Sequence, residues 1–427
     1  MTTKTGNHEL NINLFDPETQ HCPYDAYKVL RDEAPVYRMP GTDIYVVSRY
    51  DDVRQVLLDT QSFPSSAEDT PYRANTDNIE RIQKVAARFQ EKGWLPAPTL
   101  GGRDDPNHKQ MRAMFNEAFK PSRIQEIDPL VENLAYELID QFIDDGRCDF
   151  VKQFAVPLPL FIIGEQMGAK REDMWQIKRW TDAFFQRISM MLNEEQEMEM
   201  VDREIEAQHY FQPVFERLRA NPNDSLISVL VNTVIEDWGR PLNDNELHAE
   251  MMADTFVGGS ETTTNALAAG IKLLIENKDI WQQLKSDPEQ YMKTFVEEVL
   301  RLESPVQSLM RFCARDTELP SGGVIPAGGL VNIRYAAANR DERVFECPEK
   351  IDLQRPKAGA HMGFGSGKHH CLGAPLARRE LIWGFTAVVD RFEDMWFAPG
   401  KSDFSYHPHF LLRSLKELHI EFEPRKK

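Results

Sequence analysis

Apolar residues recur at intervals of three and four along much of the chain. Residues with this spacing lie on one face of a helix, which predicts helices with one buried side. Such segments cover residues 23–33, 51–58, 79–92, 108–119, 128–144, 172–192, 200–220 and 225–236. A longer amphipathic segment without proline runs from Asn243 to about Asn277, and Asn243 with Glu246 fits a capping box. At 1.5 Å per residue, this segment predicts one helix of about 50 Å.

Strand signals are confined to short segments. Residues 35–41 and 44–49 flank Pro40-Gly41 and predict a hairpin, and further strands are expected near residues 310–335 and 410–422. The pattern therefore predicts a mainly α-helical protein with small β-sheets. No internal repeat, low-complexity tract or Ser/Gly-rich linker divides the chain. We therefore expect a single domain over residues 1–427, with residues 1–22 as a loosely ordered N-terminal arm.

Composition and charge exclude several classes of protein. A hydrophobic fraction of 41% with 28% charged residues is typical of globular proteins rather than disordered or fibrous ones. No stretch reaches the roughly 20 apolar residues of a membrane helix, and the N-terminus shows no secretory signal. We therefore expect a soluble, cytoplasmic protein without a membrane anchor. The 50 Lys and Arg against 68 Asp and Glu give a net charge of −18, which argues against nucleic acid as a partner.

The 5 cysteines are scattered through the chain, which is not typical of a disulfide framework and favours a reducing compartment. Only Cys371 has an unusual setting, the glycine-rich segment FGSGKHHCLG at residues 364–373. Glycines let this backbone fold back and expose N–H groups, and a helix is expected to begin just after Gly373. Both features stabilise a thiolate, so they predict a lowered pKa for Cys371 and a role as nucleophile or metal ligand.

Three interpretations of this cysteine remain open on local chemistry alone. It could be a buried structural residue in a glycine-rich turn. A zinc site could include His361, His369, His370 and Cys371, but no second pair of ligands has suitable spacing, and adjacent histidines usually diverge. A single axial thiolate on a haem iron requires only one cysteine with nearby donors, and this interpretation fits best.

The segment 364–373 also fits the pattern F-G-x-G-x-H-x-C-x-G at every position. This pattern resembles the haem-binding signature of the cytochrome P-450 superfamily, and two further motifs of that family occur in the correct order. The resemblance covers about residues 23–422 and looks like a soluble bacterial member. It implies the family's fold, in which a long central helix crosses over haem b and the cysteine loop lies on the opposite haem face. The residues it assigns to the cofactor are Cys371 as iron ligand and Phe364, Gly365 and Gly373 around it.

The sequence GGSETTT at residues 258–264 lies midway along the long predicted helix. Each glycine inside a helix costs about 0.8–1 kcal/mol relative to alanine, and close helix packing is one reason to accept that cost. The resemblance instead implies that Gly258 faces the haem at a widened turn with room for dioxygen. It also matches Glu261 and Thr262 to the family's acid–alcohol pair, which delivers two protons so that the O–O bond breaks. The two threonines that follow are expected to be structural, bonding back to the preceding turn.

A second motif of the family is a Glu–Arg pair ahead of the cysteine loop. Glu298 and Arg301 fit it, since side chains three residues apart share a helix face. Any exposed helix can contain such a pair by chance. The pair supports the resemblance only because it precedes the cysteine loop, as the family's motif does. The resemblance implies a structural role and a third member shortly before the haem loop, for which Arg355 is the candidate.

Haem carries two propionates, which need cationic partners when they are partly buried. Taken alone, His108 and Arg112 lie one helical turn apart and are equally typical of a solvated helix face. The resemblance matches them to the family's H-x-x-x-R pattern and adds one arginine after the Glu–Arg helix and one histidine of the cysteine loop. The residues it assigns to the propionates are His108, Arg112, Arg311 and His369.

Substrate contacts are implied only by the family's topology, which makes residues 62–105 and 172–220 the roof of the pocket. The residues expected to line the pocket are Phe184, Val257, Val306, Leu309, Leu411 and Leu412. An apolar cluster rich in methionine over residues 184–192 could adapt to ligands, although a plain core stripe explains it equally well. A small hydrophobic or amphipathic substrate is therefore expected.

The resemblance implies a haem-thiolate monooxygenase, an oxidoreductase that inserts one atom of dioxygen into its substrate, with hydroxylation as the expected reaction. No flavin or iron–sulfur module is attached, so electrons are expected from a ferredoxin with its NAD(P)H-dependent reductase. The cations predicted to form a basic docking patch for this partner are Lys109, Arg112, Lys120, Lys368, Arg378 and Arg379. The alternatives are a haem-binding sensor or carrier without turnover and a zinc-binding structural protein.

Overall fold

Helices form most of the chain in the computed structural model, which describes residues 10–74, 76–223, 225–401 and 404–425. The α-helices are α1 (Pro17–His21), α2 (Tyr24–Glu33), α3 (Tyr50–Leu58), α4 (Thr76–Lys92), α5 (Asn107–Ala118), α6 (Pro121–Asp140), α7 (Pro157–Gln166), α8 (Met174–Arg187), α9 (Glu194–Ala220), α10 (Leu226–Asn232), α11 (Asp244–Glu250), α12 (Gly258–Glu276), α13 (Lys278–Ser286), α14 (Pro288–Glu303), α15 (Tyr335–Ala338) and α16 (Ala374–Arg391). The β-strands are β1 (Val36–Arg38), β2 (Ile44–Val47), β3 (Arg147–Asp149), β4 (Leu309–Phe312), β5 (Thr317–Glu318), β6 (Val324–Ile325), β7 (Leu330–Ile333), β8 (Phe392–Phe397) and β9 (His419–Pro424). The predicted class, mainly helical with small sheets, is confirmed. None of the helices in the described part of the chain is long and apolar enough to cross a membrane.

The largest sheet has the strand order β1-β2-β7-β4. β1 and β2 are antiparallel, which confirms the hairpin predicted over residues 35–49. β2 runs parallel to β7, and β4 runs antiparallel to β7 with Leu309 opposite Ile333 and Arg311 opposite Val331. Two smaller sheets have the orders β3-β9-β8 and β5-β6. Because Leu309 and Arg311 are two residues apart on one strand, they lie on the same face of the largest sheet.

Several helices differ from their predicted limits for local reasons. α9 begins at Glu194 rather than near residue 200, because Asn193 and Gln196 form a reciprocal capping box. α6 begins at Pro121 rather than near residue 128, since proline is tolerated in a first turn, and it continues through Pro129. α7 was not predicted, because its apolar residues surround the helix on almost every side and leave no periodicity.

The long helical segment predicted over residues 243–277 is present but is not uniform. α11 begins with the predicted capping box of Asn243 and Glu246. A π-helical stretch, Met251–Val257, then joins α11 to α12, which begins at Gly258. π-Helical turns are wider than α-helical ones and occur frequently at functional sites. The widened turn that the family resemblance implies therefore lies immediately before the GGSETTT segment.

Packing of α12 against α16 positions the cysteine loop. Gly270 in α12 lets the ring of Phe385 in α16 approach closely, because a Cβ on Gly270 would lie 2.3 Å from that ring. Gly384 in α16 likewise accommodates Leu267, whose methyl group would be 2.7 Å from an added Cβ. Gly270 and Gly384 therefore allow the two helices to pack closely. Since α16 begins directly after the cysteine loop, this packing fixes the loop relative to α12.

Residues 10–22 pack against the C-terminal part of the chain. Leu14 is buried, and the ring of Phe15 stacks on Phe410 at 4.3 Å between centroids. Arg413 donates to the carbonyl of Gln20 at 2.9 Å. These contacts differ from the loosely ordered arm expected over residues 1–22, because the apolar residues of this segment find buried partners. Residues 1–9 lie outside the described residues.

Candidate functional site

The cysteine loop folds back on itself before α16 begins. The N–H of Cys371 donates to the carbonyl of Phe364 at 2.9 Å and closes the loop. Gly365 (φ +67°) and Gly367 (φ +70°) adopt left-handed conformations that favour glycine. Gly367 also approaches α3, because a Cβ there would lie 3.1 Å from the carbonyl oxygen of Leu57. The loop therefore depends on its glycines to present Cys371 at the start of α16.

Two opposing effects act on the thiol of Cys371. Burial raises its pKa, and the N–H groups of Gly373 and Ala374 with the charge of Arg112 offset only part of that rise. The lowered pKa predicted from the sequence is therefore wrong for the thiol alone, because desolvation outweighs the donors at the helix start. A metal cation coordinated by the sulfur removes the thiol proton outright.

The four basic residues predicted to hold propionates lie together beside the loop. The rings of His108 and His369 face each other with centroids 4.0 Å apart. Arg112 donates to the carbonyl of His370 at 2.8 Å. Burial lowers the pKa of His369 to about 3, and the charges of Arg311, His108 and Arg112 add to this effect. We call His108, Arg112, Arg311 and His369 the basic cluster.

In the described part of the chain, the two arginines of the basic cluster lack anionic partners, whereas Nδ1 of His108 lies 3.6 Å from Asp105. Nε2 of His108, a residue only 3% exposed, is buried without a hydrogen-bond partner. Among the described residues, neither Arg112 nor Arg311 forms an ion pair with a carboxylate. Buried cations need anionic partners, so the cluster fits a ligand that carries negative charge. A haem, with two propionates and an iron that accepts a thiolate, fits the basic cluster and Cys371 together.

The zinc ligand set considered for the loop is not assembled. Nε2 of His361 hydrogen-bonds with Glu297 at 3.0 Å, and the ring of His369 faces His108 instead. Within the described ranges, metal-ligating atoms from three residues come within 4.8 Å of one another only at Asp149, Glu417 and His419.

The two glycines of the GGSETTT segment have different surroundings. A Cβ on Gly259 would lie 3.1 Å from Ile163 of α7, so this glycine serves helix packing. Gly258 is exposed, and the nearest atom to a Cβ there would be the carbonyl oxygen of Ala253 at 3.5 Å. The hydroxyl of Thr262 donates to the carbonyl of Gly258 at 3.0 Å. Helix packing therefore explains Gly259, whereas the role of Gly258 beside the haem stays a prediction.

Glu261 forms an ion pair with a lysine of α8. Its Oε1 lies 2.8 Å from Nζ of Lys178 and 3.4 Å from the hydroxyl of Thr181, both on α8. Lys178 also pairs with Asp182. Burial works against the charge of Lys178, but Glu261 and Asp182 outweigh it and hold its pKa above the ordinary value. Sequence analysis missed Lys178, whose only local signal is its spacing of four residues from Asp182.

The threonines after Thr262 do not bond back to the preceding turn as expected. The hydroxyl of Thr264 donates to the carbonyl of Ala155 at 3.0 Å. Thr263 instead hydrogen-bonds with Glu380 of α16, where burial raises the pKa of that carboxyl group to about 8. The expected back-bonding is wrong for both, because each hydroxyl finds a partner on a neighbouring element.

Glu298 lies at the centre of a fully buried polar network. Arg301 donates to its two carboxylate oxygens at 2.6 and 3.0 Å, and Arg355 donates to Oε1 at 2.8 Å. The N–H of Asp352 donates to Oε2 at 3.0 Å. The remaining guanidinium donors bind backbone carbonyls, including that of Lys350 at 3.0 Å from both arginines. The network thus ties α14 to the segment that precedes the cysteine loop.

Four of the six cations predicted to form a docking patch are ion-paired. Their partnerships are Lys368 with Asp105, Arg378 with Glu297, Arg379 with Asp128, and Lys120 with Glu117. Arg112 points to the cysteine loop, where it bonds His370. Lys109 is exposed and forms no ion pair within the described residues. The predicted patch is therefore largely neutralised, because the sequence count of cations did not include their acidic neighbours.

The residues expected to line the pocket occupy two regions. Val306 pairs with Leu412 in an isolated bridge, and Leu309 on β4 is 42% exposed. Val257 is buried at the end of the π-helical stretch, and Leu411 is half-buried. Phe184 lines a cavity of about 170 Å³ whose walls come from α4, α8, α9, residues 95–99 and the central helical segment. Residues of both expected roof segments line this cavity, but the other five residues expected in the pocket do not.

Comparisons with known proteins match the chain over nearly its whole length. A family model described as cytochrome P450 matches residues 3–416, which include the cysteine loop. The polyketide biosynthesis cytochrome P450 PksS of Bacillus subtilis is 32% identical over 417 residues, covering 95% of this chain and 98% of its own. The solved structure of PksS has a TM-score of 0.83 at 30% identity and covers 96% of this chain and 100% of that chain.

Two further matches concern steroids by name. A steroid C26-monooxygenase of Mycobacterium tuberculosis is 33% identical over 399 residues, covering 93% of this chain and 93% of its own. The crystal structure of CYP109E1 from Bacillus megaterium in complex with corticosterone has a TM-score of 0.78 at 30% identity. It covers 95% of this chain and 99% of that chain.

Proposed function

Because this chain belongs to the cytochrome P450 family, we propose that it uses Cys371, Glu261 and Thr262 to hydroxylate a hydrophobic substrate of steroid size. Members of the family hold haem through a cysteine thiolate and insert one atom of dioxygen into an organic substrate. The chain is therefore a haem-dependent monooxygenase, an oxidoreductase. The roles of Cys371 and the haem-binding residues rest on one observation, the convergence of Cys371 with the basic cluster.

Bound haem supplies the iron at which dioxygen is reduced. Cys371 would hold that iron through its sulfur, while the N–H groups of Gly373 and Ala374 stabilise the negative charge on the thiolate. The basic cluster would hold the two propionates, which complete its missing ion pairs. Phe364 and Gly365 shape the loop, and Gly258 leaves space on the opposite side.

Protons would reach the oxygen site through Glu261 and Thr262. Asp182 lies near the surface with a 42% exposed side chain, and it pairs with Lys178, which in turn pairs with Glu261. This row of charged groups connects solvent to the buried carboxylate of Glu261. The hydroxyl of Thr262 is bonded to the carbonyl of Gly258 and must release that bond to donate towards the oxygen site.

The substrate class follows from the relatives and from the apolar pocket residues. PksS is named for polyketide biosynthesis, and two of the matches above are named with steroids. Leu309, which is 42% exposed, offers apolar surface three residues from Val306, which suits a large, mainly hydrophobic substrate. We expect hydroxylation at one carbon of such a substrate.

Thr262→Ala is the experiment that tests this function. Steroids and long-chain fatty acids are first screened for a shift of the Soret band. A compound that shifts this band then serves as the substrate. We expect the variant to consume oxygen but to form at least about tenfold less product per oxygen, since a general acid contributes typically a hundredfold or more. The measurement compares oxygen uptake, hydrogen peroxide and product bearing one added oxygen atom.

Thr264→Ala is the matched control, because its hydroxyl binds Ala155 and not the oxygen site. It should keep the product yield of the unsubstituted enzyme. Equal yields for the Thr262 variant and the unsubstituted enzyme would contradict the proposed role. A protein that binds ligands but never forms oxygenated product would instead be a sensor or carrier.

We also propose that electrons come from a ferredoxin with an NAD(P)H-dependent reductase, and that the protein acts in the cytoplasm. None of the five cysteines forms a disulfide, which suits a reducing compartment. Fractionation of the native host would test the location. The ion pairs on the cysteine-loop side leave Lys109 as the cation best placed to attract an acidic partner.

Lys109→Glu should therefore slow reduction by a ferredoxin about three- to tenfold at low ionic strength, because rim charges act on association rates. Stopped-flow reduction under carbon monoxide, repeated at rising salt, would measure the effect. Lys416→Glu is the control, an exposed lysine in the segment before β9. Identical rates and salt dependence for the Lys109 variant and the unsubstituted protein would refute docking at this face.

A further inference from the structure

One face of the long helical segment is exposed inside an otherwise buried helix. Asp254 and Gly258 are exposed and Thr262 is partly exposed, whereas Phe256 and Glu261 are buried. Residues four apart lie on one helix face. Asp254, Gly258 and Thr262 therefore form one stripe, and its last member is the proposed proton donor at the oxygen site.

The carboxyl group of Asp254 is held by the loop around residues 99–101. The side chain of Asp254 is exposed, yet desolvation raises the pKa of its carboxyl group. Its Oδ2 accepts from the N–H of Gly101 at 3.1 Å, and the hydroxyl of Thr99 also bonds it. These two contacts leave acceptor capacity on the carboxylate, which has about four lone-pair sites.

Glu250, the neighbouring acid on the same helix face, is buried, whereas Asp254 is exposed. Glu250 lies one turn before Asp254, and its Oε1 accepts from the N–H of Leu100 at 2.6 Å. It is only 1% exposed, and burial raises its pKa well above the ordinary value. Both acids thus fasten the loop around residues 99–101, but only Asp254 also presents its carboxylate to open space.

We propose that Asp254 is a specificity-determining residue that binds a positively charged or hydrogen-bond-donating end group of the substrate. A carboxylate in a poorly solvated site is unfavourable unless it is paired or hydrogen-bonded. An ammonium group supplies both, and a hydroxyl supplies a hydrogen bond. A carboxylate on the substrate would be repelled. This inference rests on the proposed function, because it assumes that the stripe faces the substrate.

The stripe also sets a distance between the two ends of the substrate. Asp254 and Thr262 are eight residues apart, which at 1.5 Å per residue is about 12 Å along the helix axis. Val257, between them in the chain, is apolar. The expected substrate is therefore an amphipath whose donor group lies about 12 Å from the carbon that is hydroxylated.

Three probes of equal chain length test this inference in the haem-loaded protein: dodecylammonium, dodecan-1-ol and dodecanoate, with the two charged probes below their micelle concentrations. Dissociation constants come from the Soret shift and from equilibrium dialysis at fixed ionic strength. The unsubstituted protein should bind the cation at least about tenfold more tightly than dodecanoate. Asp254→Asn, which keeps an acceptor for Gly101, should remove most of that preference and change the affinity for dodecan-1-ol less than threefold.

Glu250→Gln is the matched control, since it changes a neighbouring acid with the same kind of loop contact. It should keep the preference for the cation. Asp254→Asn with an unchanged preference, dodecanoate as the tightest probe, or no binding of the cation would each overturn the inference. A protein that incorporates no haem would contradict the proposed function rather than this inference. The absorption spectrum would show this before any probe is added.

Discussion

Substitution of Cys371 by serine is expected to remove the far-red-shifted Soret band that the dithionite-reduced protein should show under carbon monoxide. That band reports a thiolate on haem iron, and a serine hydroxyl cannot push electron density to the metal in the same way. Product formation should fall to background for the same reason. Absorption spectra and product analysis with a substrate found by the Soret screen measure both effects.

Cys347→Ser provides the matched control for this substitution. Cys347 is also a free thiol, but it lies outside the cysteine loop. Its variant should keep the red-shifted band and full turnover. If Cys371→Ser kept the red-shifted band, the axial ligand would have to be another cysteine. An ordinary band position in the unsubstituted protein would point to a protonated or different ligand, with His370 as the nearest alternative in the chain.

The parts of the candidate site that the sequence predicts are encoded in runs of neighbouring residues. The cysteine loop carries its glycines, its histidines and Cys371 within ten positions, and left-handed backbone conformations explain Gly365 and Gly367. The GGSETTT segment is equally contiguous, and helical spacing alone puts Gly258 and Thr262 on one face. Helix packing then needs only small residues such as Gly270 to bring α12 close to α16.

The parts that sequence reasoning missed depend on contacts between distant elements. Lys178 reaches Glu261 across 83 positions, and no spacing rule connects them. Thr264 likewise binds Ala155, 109 positions away, where helical propensity predicts a bond within its own turn. Asp254 could have been placed on the stripe by its spacing from Gly258. Its exposure, however, depends on the π-helical stretch and on the loop that packs against it.

Charge was the property that sequence counting described least well. The predicted docking patch summed cations, yet Arg378 and Arg379 each form a two-oxygen ion pair with a carboxylate. The pKa of Cys371 shows the same limit, because the donors near its sulfur are visible in the sequence whereas the burial that outweighs them is not. The sequence shows neither the carboxylates that pair with these arginines nor the burial of Cys371, because both depend on the folded structure.

Glu298→Gln is expected to lower the free energy of unfolding by about 3–5 kcal/mol, the second large effect that the structure predicts. The carboxylate is 0% exposed and accepts from Arg301, Arg355 and a backbone N–H. Its removal leaves two buried guanidinium groups without an anion. Equilibrium unfolding of the haem-loaded protein in urea would measure the change.

Glu297→Gln is the control variant, because it removes a different carboxylate from α14. It tests whether the loss of stability is specific to Glu298. Burial opposes the ionisation of Glu297, but hydrogen bonds from His361 and Arg378 outweigh it and lower its pKa to about 2. Because Arg378 is about one-third exposed, solvent can replace much of this pair, and the expected loss is only about 1–2 kcal/mol. Equal losses for the two variants would contradict the central role of Glu298. If Glu298 is structural, its folded variant should also keep the red-shifted band and its product yield per oxygen, because the network touches neither Cys371 nor Thr262.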